Sequence, residues 1–384
     1  MRIVIDKNIP LGREAFQDLG EVLVTTAITA DAVRSGDILI VRSETKVDRS
    51  LLEGSRIRFV GTATIGTDHI DIPYLESRGI PFASAPGCNA NSVKEYVIAA
   101  LLTLSHRLGF LLKGRTIGVV GVGNIGSKVV KAARALGMEV LQNDPPLARA
   151  TGAKHFLHLD DLMGADIVTL HVPLTRAGSD PTYHLFDERR FSEMKRGAVL
   201  INTSRGGVIH TPALMNAIGR RGLDATVLDV WENEPAISAG LLSTVTIGTS
   251  HIAGYSLDGK VHAVRMIRQA VCRHFSLPDH WEPSLPAHET GKIQVFREEA
   301  PEEEVIRRVV RHCYDIEEDD RLLRTMLDLP ESVRKEYFVG LRTGYRIRRE
   351  FSNVKFELPD RHQALAEPLS ALGFNVTGIG KGPR

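Results

Sequence analysis

Three side chains that could act as one chemical unit follow one another in the second half of this chain: Arg205 in INTSRGGVIH, Glu234 in DVWENEP and His251 in TSHIAGYS. A guanidinium presents a planar fork that matches a carboxylate, a task for which lysine geometry is poorer. An imidazole titrates near neutrality and can exchange a hydroxyl proton, and a carboxylate beside it fixes its tautomer and favours its charged form. Together they are the equipment for oxidising a 2-hydroxy acid, whose carbon releases hydride only as the hydroxyl proton leaves. Each alone has a bland explanation: Arg205 as a surface-loop arginine, Glu234 as an exposed acid before Pro235, His251 as a satisfied core histidine. The trio gains weight from what precedes it.

Upstream, TIGVVGVGNIGSKVVKAARALG places a strand, a glycine loop and a helix in the order a dinucleotide fingerprint needs. Gly121 permits a tight turn, Gly123 lets backbone approach a pyrophosphate, and Gly126 lets helix and strand pack closely, with Asn124 and Ile125 completing the loop. Amides at the helix start then face the phosphate charge. Asp144 ends MEVLQND roughly twenty residues further on, where a carboxylate accepts from both ribose hydroxyls and repels a 2′-phosphate, so NAD is expected over NADP. The competing reading of Asp144 is a solvated aspartate before Pro145 and Pro146.

A glycine loop followed by Arg, Glu and His in that order resembles the D-isomer-specific 2-hydroxyacid dehydrogenases. VRSETKV (41–47), GTATIGTDHID (61–71) and APGCNANSVKEYV (85–97) resemble one branch of them, the erythronate-4-phosphate dehydrogenases. That resemblance implies NAD-dependent oxidation of 4-phospho-D-erythronate to 3-hydroxy-2-oxo-4-phosphooxybutanoate in pyridoxal 5′-phosphate biosynthesis. It implies that Ser43 and Thr64 contact substrate and that Gly254 neighbours the nicotinamide. Tyr255 is either a substrate contact or an aromatic lid on the helix that follows; Asp229 is either a neighbour of the nicotinamide amide or a turn aspartate. LRTGYRIRREFS (341–352) resembles the dimerisation domain appended in this branch, with Tyr345, Arg348, Arg349 and Glu350 at matching positions. Its adjacent arginines either form a solvated face or bind the substrate phosphate in the partner's active site. The chain departs from the pattern at His210, where an aspartate is common. Two alternatives stand beside this reading: a phosphoglycerate- or glycerate-type dehydrogenase, and an NAD-sensing corepressor-like binding protein. The second would be expected to carry a disordered tail, whereas this tail is patterned.

The elements that must position these residues are written in the apolar pattern. Short apolar runs (RIVID, EVLVT, DILIV, IRFVG, IPFAS) alternate with helical stretches up to about residue 90, and the alternation returns from TIGVVG to TVTIGTS. The expected class is α/β: two doubly wound parallel-sheet domains, one flavodoxin-like and one Rossmann, plus a small C-terminal α+β dimerisation domain. The expected boundaries are 1–90 with 255–284 for the substrate domain, 91–254 for the NAD-binding domain and 285–384 for the dimerisation domain. The return of 255–284 to the first domain is implied by the resemblance. In the tail, IQVF reads as a strand and EVIRRVVRHCYDI as a helix. Val305, Ile306, Val309, Val310 and Cys313 on that helix are expected to form a two-fold homodimer face.

A net charge of +1 gives no global field for nucleic acid or a membrane surface, so an anionic substrate must be met by local arginines and lysines. The run VIAALLTL is too short to span a bilayer, and MRIVIDKNIP reads as a first strand rather than a leader. Cys88, Cys272 and Cys313 lack CxxC spacing, which fits a reducing, cytoplasmic setting. His155, His158 and His171 have no cysteine or carboxylate cluster to complete a ligand set, so no metal is expected.

Overall fold

The computed structural model describes residues 1–285, 300–356, 358 and 360–376. Near-continuous apolar runs of four or five residues can be buried on both faces only in a parallel sheet covered by helices. That is what the first runs form: β1 (Arg2–Asp6), β2 (Glu21–Thr25), β3 (Ile38–Val41), β4 (Phe59–Thr62) and β5 (Phe82–Ala83). They pair in parallel in the order β2-β1-β3-β4-β5, the flavodoxin-like order. The Leu257–Phe275 helix, capped by the Ser256 side chain on the amide of Gly259, adds Ala263, Val264, Ile267 and Val271 to the core of Ile3, Ile5, Ile38, Ile40 and Phe59. Gly61 permits that approach, because a Cβ there would press on Ile267. Met1–Ala90 and Tyr255–Ala287 thus form one compact unit, called unit 1 below.

Unit 2 comprises Asn91–Gly254 and His288–Arg384. Its strands are β6 (Thr116–Val120), β7 (Glu139–Asn143), β8 (Ile167–Leu170), β9 (Ala198–Asn202), β10 (Leu223–Leu228) and β11 (Ile247–Gly248), all parallel. The order β11-β10-β9-β8-β6-β7 reverses direction between β6 and β8, the switch point at which doubly wound sheets bind dinucleotides. The Gly126–Ala135 helix follows β6 directly.

The C-terminal segment is built into this unit. Its helices Glu302–Cys313, Ile316–Arg324 and Glu331–Thr343 are followed by a two-stranded parallel pair, β12 (Lys355–Phe356) with β13 (Asn375–Val376), flanking the Ala366–Leu372 helix. Leu323, Met326 and Phe338 join the core that contains Trp231, Leu241, Leu242 and Val245. The edge strand β11 is covered by the same segment. Asp320 accepts from the Gly248 amide at 2.7 Å, and Arg324 donates to the carbonyls of Leu242 and Val245 at 2.9 and 2.7 Å. The apolar stripe of the Glu302–Cys313 helix corrects an expectation: Val305, Ile306, Val309 and Val310 are at most 5% exposed within this single chain. Helical spacing reveals that a face is buried, not what buries it. The expected strand IQVF lies outside the described residues.

Candidate active site

The glycine loop has the shape a pyrophosphate needs. Gly121 adopts φ +85°, and a Cβ there would meet the carbonyl of His171. A Cβ on Gly126 would run into the carbonyl of Gly121, whereas one on Gly123 would meet nothing within 4 Å. The loop is therefore closed against the protein at its ends and open at its middle. Asp144, at the tip of β7, accepts from Val122 N at 2.8 Å through one oxygen and from Leu147 N at 3.0 Å through the other. These bonds fix the carboxylate beside the loop, each oxygen keeping a lone pair for a ribose hydroxyl. Gly126→Ala is expected to cost about 1–3 kcal/mol of overpacking in this loop and to weaken NAD binding. Fluorescence titration with NADH checks it, and an unchanged affinity would contradict the role of the close approach.

The topology brings Arg205, Glu234 and His251 to the carboxyl ends of three neighbouring strands, β9, β10 and β11. Arg205 is half-buried; its Nη1 donates to the Ser204 carbonyl at 2.9 Å, and its own carbonyl accepts from the Asn202 side chain at 3.1 Å. Asn202 also accepts from the Ser204 amide and hydroxyl at 3.0 and 2.7 Å, so one buried amide shapes the turn that presents the guanidinium. Glu234 accepts from Trp231 N at 2.8 Å through Oε1, and its Oε2 lies 2.7 Å from His251 Nδ1. Burial pushes the Glu234 carboxyl up, but the charge and hydrogen bond of His251, with Trp231 N and Arg342, hold it below its ordinary value. The carboxylate is thus ionised next to the ring and oriented by it.

His251 sits in the left-handed region at φ +58°, uncommon for a residue with a Cβ. Asp229 sustains it. The Asp229 carbonyl accepts from His251 N at 2.8 Å, while its Oδ1 accepts from Ile252 N at 2.8 Å and Thr249 Oγ1 at 2.6 Å, and its Oδ2 from Ala253 N at 3.0 Å. Tyr96 shares the Thr249 hydroxyl at 2.8 Å. Burial raises the Asp229 carboxyl above its ordinary value despite these donors and the nearby His251. Its carboxylate therefore clamps the loop that carries the imidazole.

His171 joins two strand ends. Its ring nitrogens lie 3.0 Å from Thr169 Oγ1 and 3.0 Å from Thr203 Oγ1, and burial pushes it down to about 3, so it stays neutral. Nothing in LHVPL signals this, because Thr203 comes from the next strand.

Ser43, Thr64 and Tyr255 belong to unit 1, and Gly254 to unit 2. Ser43 is exposed just beyond β3, and Thr64 lies just beyond β4, its hydroxyl 2.7 Å from that of Thr62 and 3.2 Å from the Gly66 carbonyl. Lys260, which the motifs did not single out, places its ammonium 4.4 Å from the Tyr255 ring centroid.

The arginine pair of the tail is not a solvated face. Arg348 is 4% exposed and donates to the Ser92 carbonyl at 2.6 Å and the Ala253 carbonyl at 3.4 Å. It also faces Glu95 Oε2 at 3.5 Å and lies 4.0 Å from the Tyr314 ring centroid. Within this chain it is engaged inside unit 2, beside the His251 loop, rather than presented to a phosphate. Arg349 is half-buried and donates to Asn353 at 2.9 Å. Glu350 accepts from Asn91 at 3.0 Å and Ser92 at 2.9 Å. The tail thereby docks on the first turn of the Ala90–Leu108 helix.

Residues 92–253 match the model of the D-isomer specific 2-hydroxyacid dehydrogenase NAD binding domain, and residues 284–373 match a domain of unknown function, DUF3410. The chain is 45% identical to an erythronate-4-phosphate dehydrogenase of Chromohalobacter salexigens, over 98% of this chain and 99% of that one. It is 45% identical to another from Salinibacter ruber, over 91% and 92%. Among solved structures, D-lactate dehydrogenase from Aquifex aeolicus complexed with NAD and lactic acid aligns at 26% identity and a TM-score of 0.57. That alignment covers 71% of this chain and 95% of that one. No helix among the described residues is long and apolar enough to cross a membrane. On these likenesses the chain is an NAD-dependent oxidoreductase and belongs to the erythronate-4-phosphate dehydrogenase family, within the D-isomer specific 2-hydroxyacid dehydrogenases.

Proposed function

We propose that this oxidoreductase converts 4-phospho-D-erythronate to 3-hydroxy-2-oxo-4-phosphooxybutanoate, a step toward pyridoxal 5′-phosphate. The observation that carries the reading is the Glu234–His251 pair at 2.7 Å on strand ends next to that of Arg205. The Gly121–Gly126 loop and Asp144 would hold NAD, which would supply the acceptor for the hydride that leaves C2. Arg205 forks onto the substrate carboxylate and polarises the oxygen that becomes a carbonyl. His251 takes the C2 hydroxyl proton on Nε2, the nitrogen not engaged by Glu234, so C2–H and O–H are both lost and a C=O is formed. Glu234 stabilises the resulting imidazolium, and Asp229 holds the loop that carries it. Ser43, Thr64 and Tyr255 receive the polyhydroxy chain. Gly254 adjoins the nicotinamide.

The near-full-length likeness to relatives of this name supports the phosphorylated acid over phosphoglycerate or glycerate. A substrate panel tests it. With NAD saturating, kcat/KM for 4-phospho-D-erythronate should exceed those for 3-phospho-D-glycerate and D-glycerate, and a higher value for either would replace the substrate.

Asp144 is the proposed determinant of cofactor choice. Asp144→Ala should weaken NAD and narrow its preference over NADP. Comparing kcat/KM for the two cofactors checks this, and an unmoved preference would leave the aspartate as a cap of the Pro145–Thr151 helix alone.

The protein is also proposed to act in the cytoplasm as a homodimer joined through residues 285–384. Because the stripe of the Glu302–Cys313 helix is covered within the chain, the contact falls to Leu322, Val333, Val339 and Ile347, the last of them 75% exposed.

A further inference from the structure

We propose that Arg42 and Lys260 form a phosphate-binding pair in unit 1, the subsite that selects a phosphate monoester over a simple hydroxy acid; this rests on the reading of 4-phospho-D-erythronate as substrate. The Leu257–Phe275 helix lies along β4. Its Ile267 sits against Gly61, while the rings of His274 and Phe275 lie 5.7 and 6.4 Å from that of Phe59, and Arg58 stacks on Phe275 at 5.0 Å. Helix and strand therefore run in opposite directions. Residues 260, 264, 267 and 271 share one stripe at helical spacing. From Ile267 back to Lys260 is about two turns, about 10 Å at 1.5 Å per residue. On the strand that is about three residues at about 3.3 Å each, which brings Lys260 level with Thr64, just past the end of β4.

Arg42 reaches the same level from the neighbouring strand. Val41 pairs with Thr62, and the amide of Ala63 donates to the Val41 carbonyl at 2.9 Å, so Arg42 and Ser43 run beside Ala63 and Thr64. Carboxyl ends of parallel strands are where open α/β sheets bind ligands. The local charge does not balance. Arg42 has a side chain only 13% exposed and pairs with Glu44 at 3.2 Å. Lys260 is half-buried with its ammonium over Tyr255, and burial, then the charge of Arg42, push it down to about 8 against the pull of Glu44. Two cations thus share one carboxylate at the level of Ser43 and Thr64 and beside the Tyr255 ring, an arrangement a phosphate dianion would complete. Lys46, the other cation of this loop, is 80% exposed and paired with Asp48 at 3.0 Å. Arg348 is engaged in unit 2.

The test compares wild type with Lys260→Met, Lys260→Arg and Arg42→Gln. Two quantities are read: the ratio of kcat/KM for 4-phospho-D-erythronate to that for D-erythronate, and binding of inorganic phosphate by calorimetry. Lys260→Met and Arg42→Gln should each lower the ratio by roughly tenfold to a hundredfold and weaken inorganic phosphate in parallel, and Lys260→Arg should restore most of both. If both neutral variants keep the wild-type ratio and phosphate affinity, the proposal is wrong. Should Lys260→Met not fold, as judged by loss of NADH binding, Arg42→Gln decides alone. If wild type does not turn over the phosphorylated acid, the substrate reading falls. Phosphate calorimetry on the same variants then still decides the pair.

Discussion

His251→Asn should lower kcat by about two orders of magnitude or more while leaving NADH affinity nearly unchanged. Asparagine is the apt replacement because His251 occupies φ +58°, a region asparagine tolerates well, so the loop held by Asp229 should keep its shape. What disappears is the group that carries the hydroxyl proton. Glu234→Gln should fall between this variant and wild type, because the ring keeps an acceptor at 2.7 Å but loses the charge that stabilises the imidazolium. Steady-state kinetics with a parallel NADH titration reads both quantities. Turnover like that of wild type in His251→Asn would remove the imidazole from the mechanism.

Arg348→Ala should destabilise the fold by about 3–5 kcal/mol, because removing one partner of a buried ion pair leaves the other uncompensated. The abandoned group is Glu95, 1% exposed, which burial pushes up to about 7 even with Arg348 and Lys94 drawing it down. The sign of the pH dependence follows. A carboxyl whose folded pKa lies above its unfolded value favours the native state at low pH, and that benefit is lost as pH rises from about 4.5 through about 7. Below that window Glu95 is protonated in both proteins and the variant loses little through it. Above pH 7 wild type holds an ionised Glu95 beside Arg348, whereas the variant must keep it protonated or unpaired. The loss in denaturation midpoint should therefore be larger at pH 8 than at pH 5. An equal loss at both would mean that the guanidinium acts through packing on Tyr314 and its bonds to Ser92 and Ala253 alone.

The sequence made legible whatever is local. The glycine loop declares itself because its glycines stand at fixed spacing between a strand and a helix, and the strands declare themselves as short apolar runs between turns. The order of Arg205, Glu234 and His251 survives because each follows a strand of one parallel sheet, so sequence order becomes spatial order. Contacts set by tertiary register were hidden. RIRRE reads as a solvated or ligand-seeking charge run until Glu95, far away in sequence, is seen beside Arg348. Lys260 carries no motif; only the antiparallel lie of its helix on β4 brings it level with Thr64. The sequence leaves Asp229 open between a nicotinamide neighbour and a turn aspartate, because its donors at Thr249, Ile252 and Ala253 come from the end of another strand. The stripe Val305, Ile306, Val309 and Val310 shows the same limit: periodicity identified a covered face and misassigned its cover.

The central claim is oxidation at C2 of a phosphorylated acid, and the most direct measurement is the mass of the product. Protein in stoichiometric amount is mixed with NAD and 4-phospho-D-erythronate, so that slow release of reduced cofactor does not hide a single turnover, and the acid is weighed after trapping carbonyls with a hydrazine reagent. The account predicts loss of two hydrogens from the acid, one hydrazone per molecule, and an equal amount of NADH by absorbance. Acid recovered at its original mass with no NADH, while an unphosphorylated or shorter 2-hydroxy acid is oxidised under the same conditions, would contradict it.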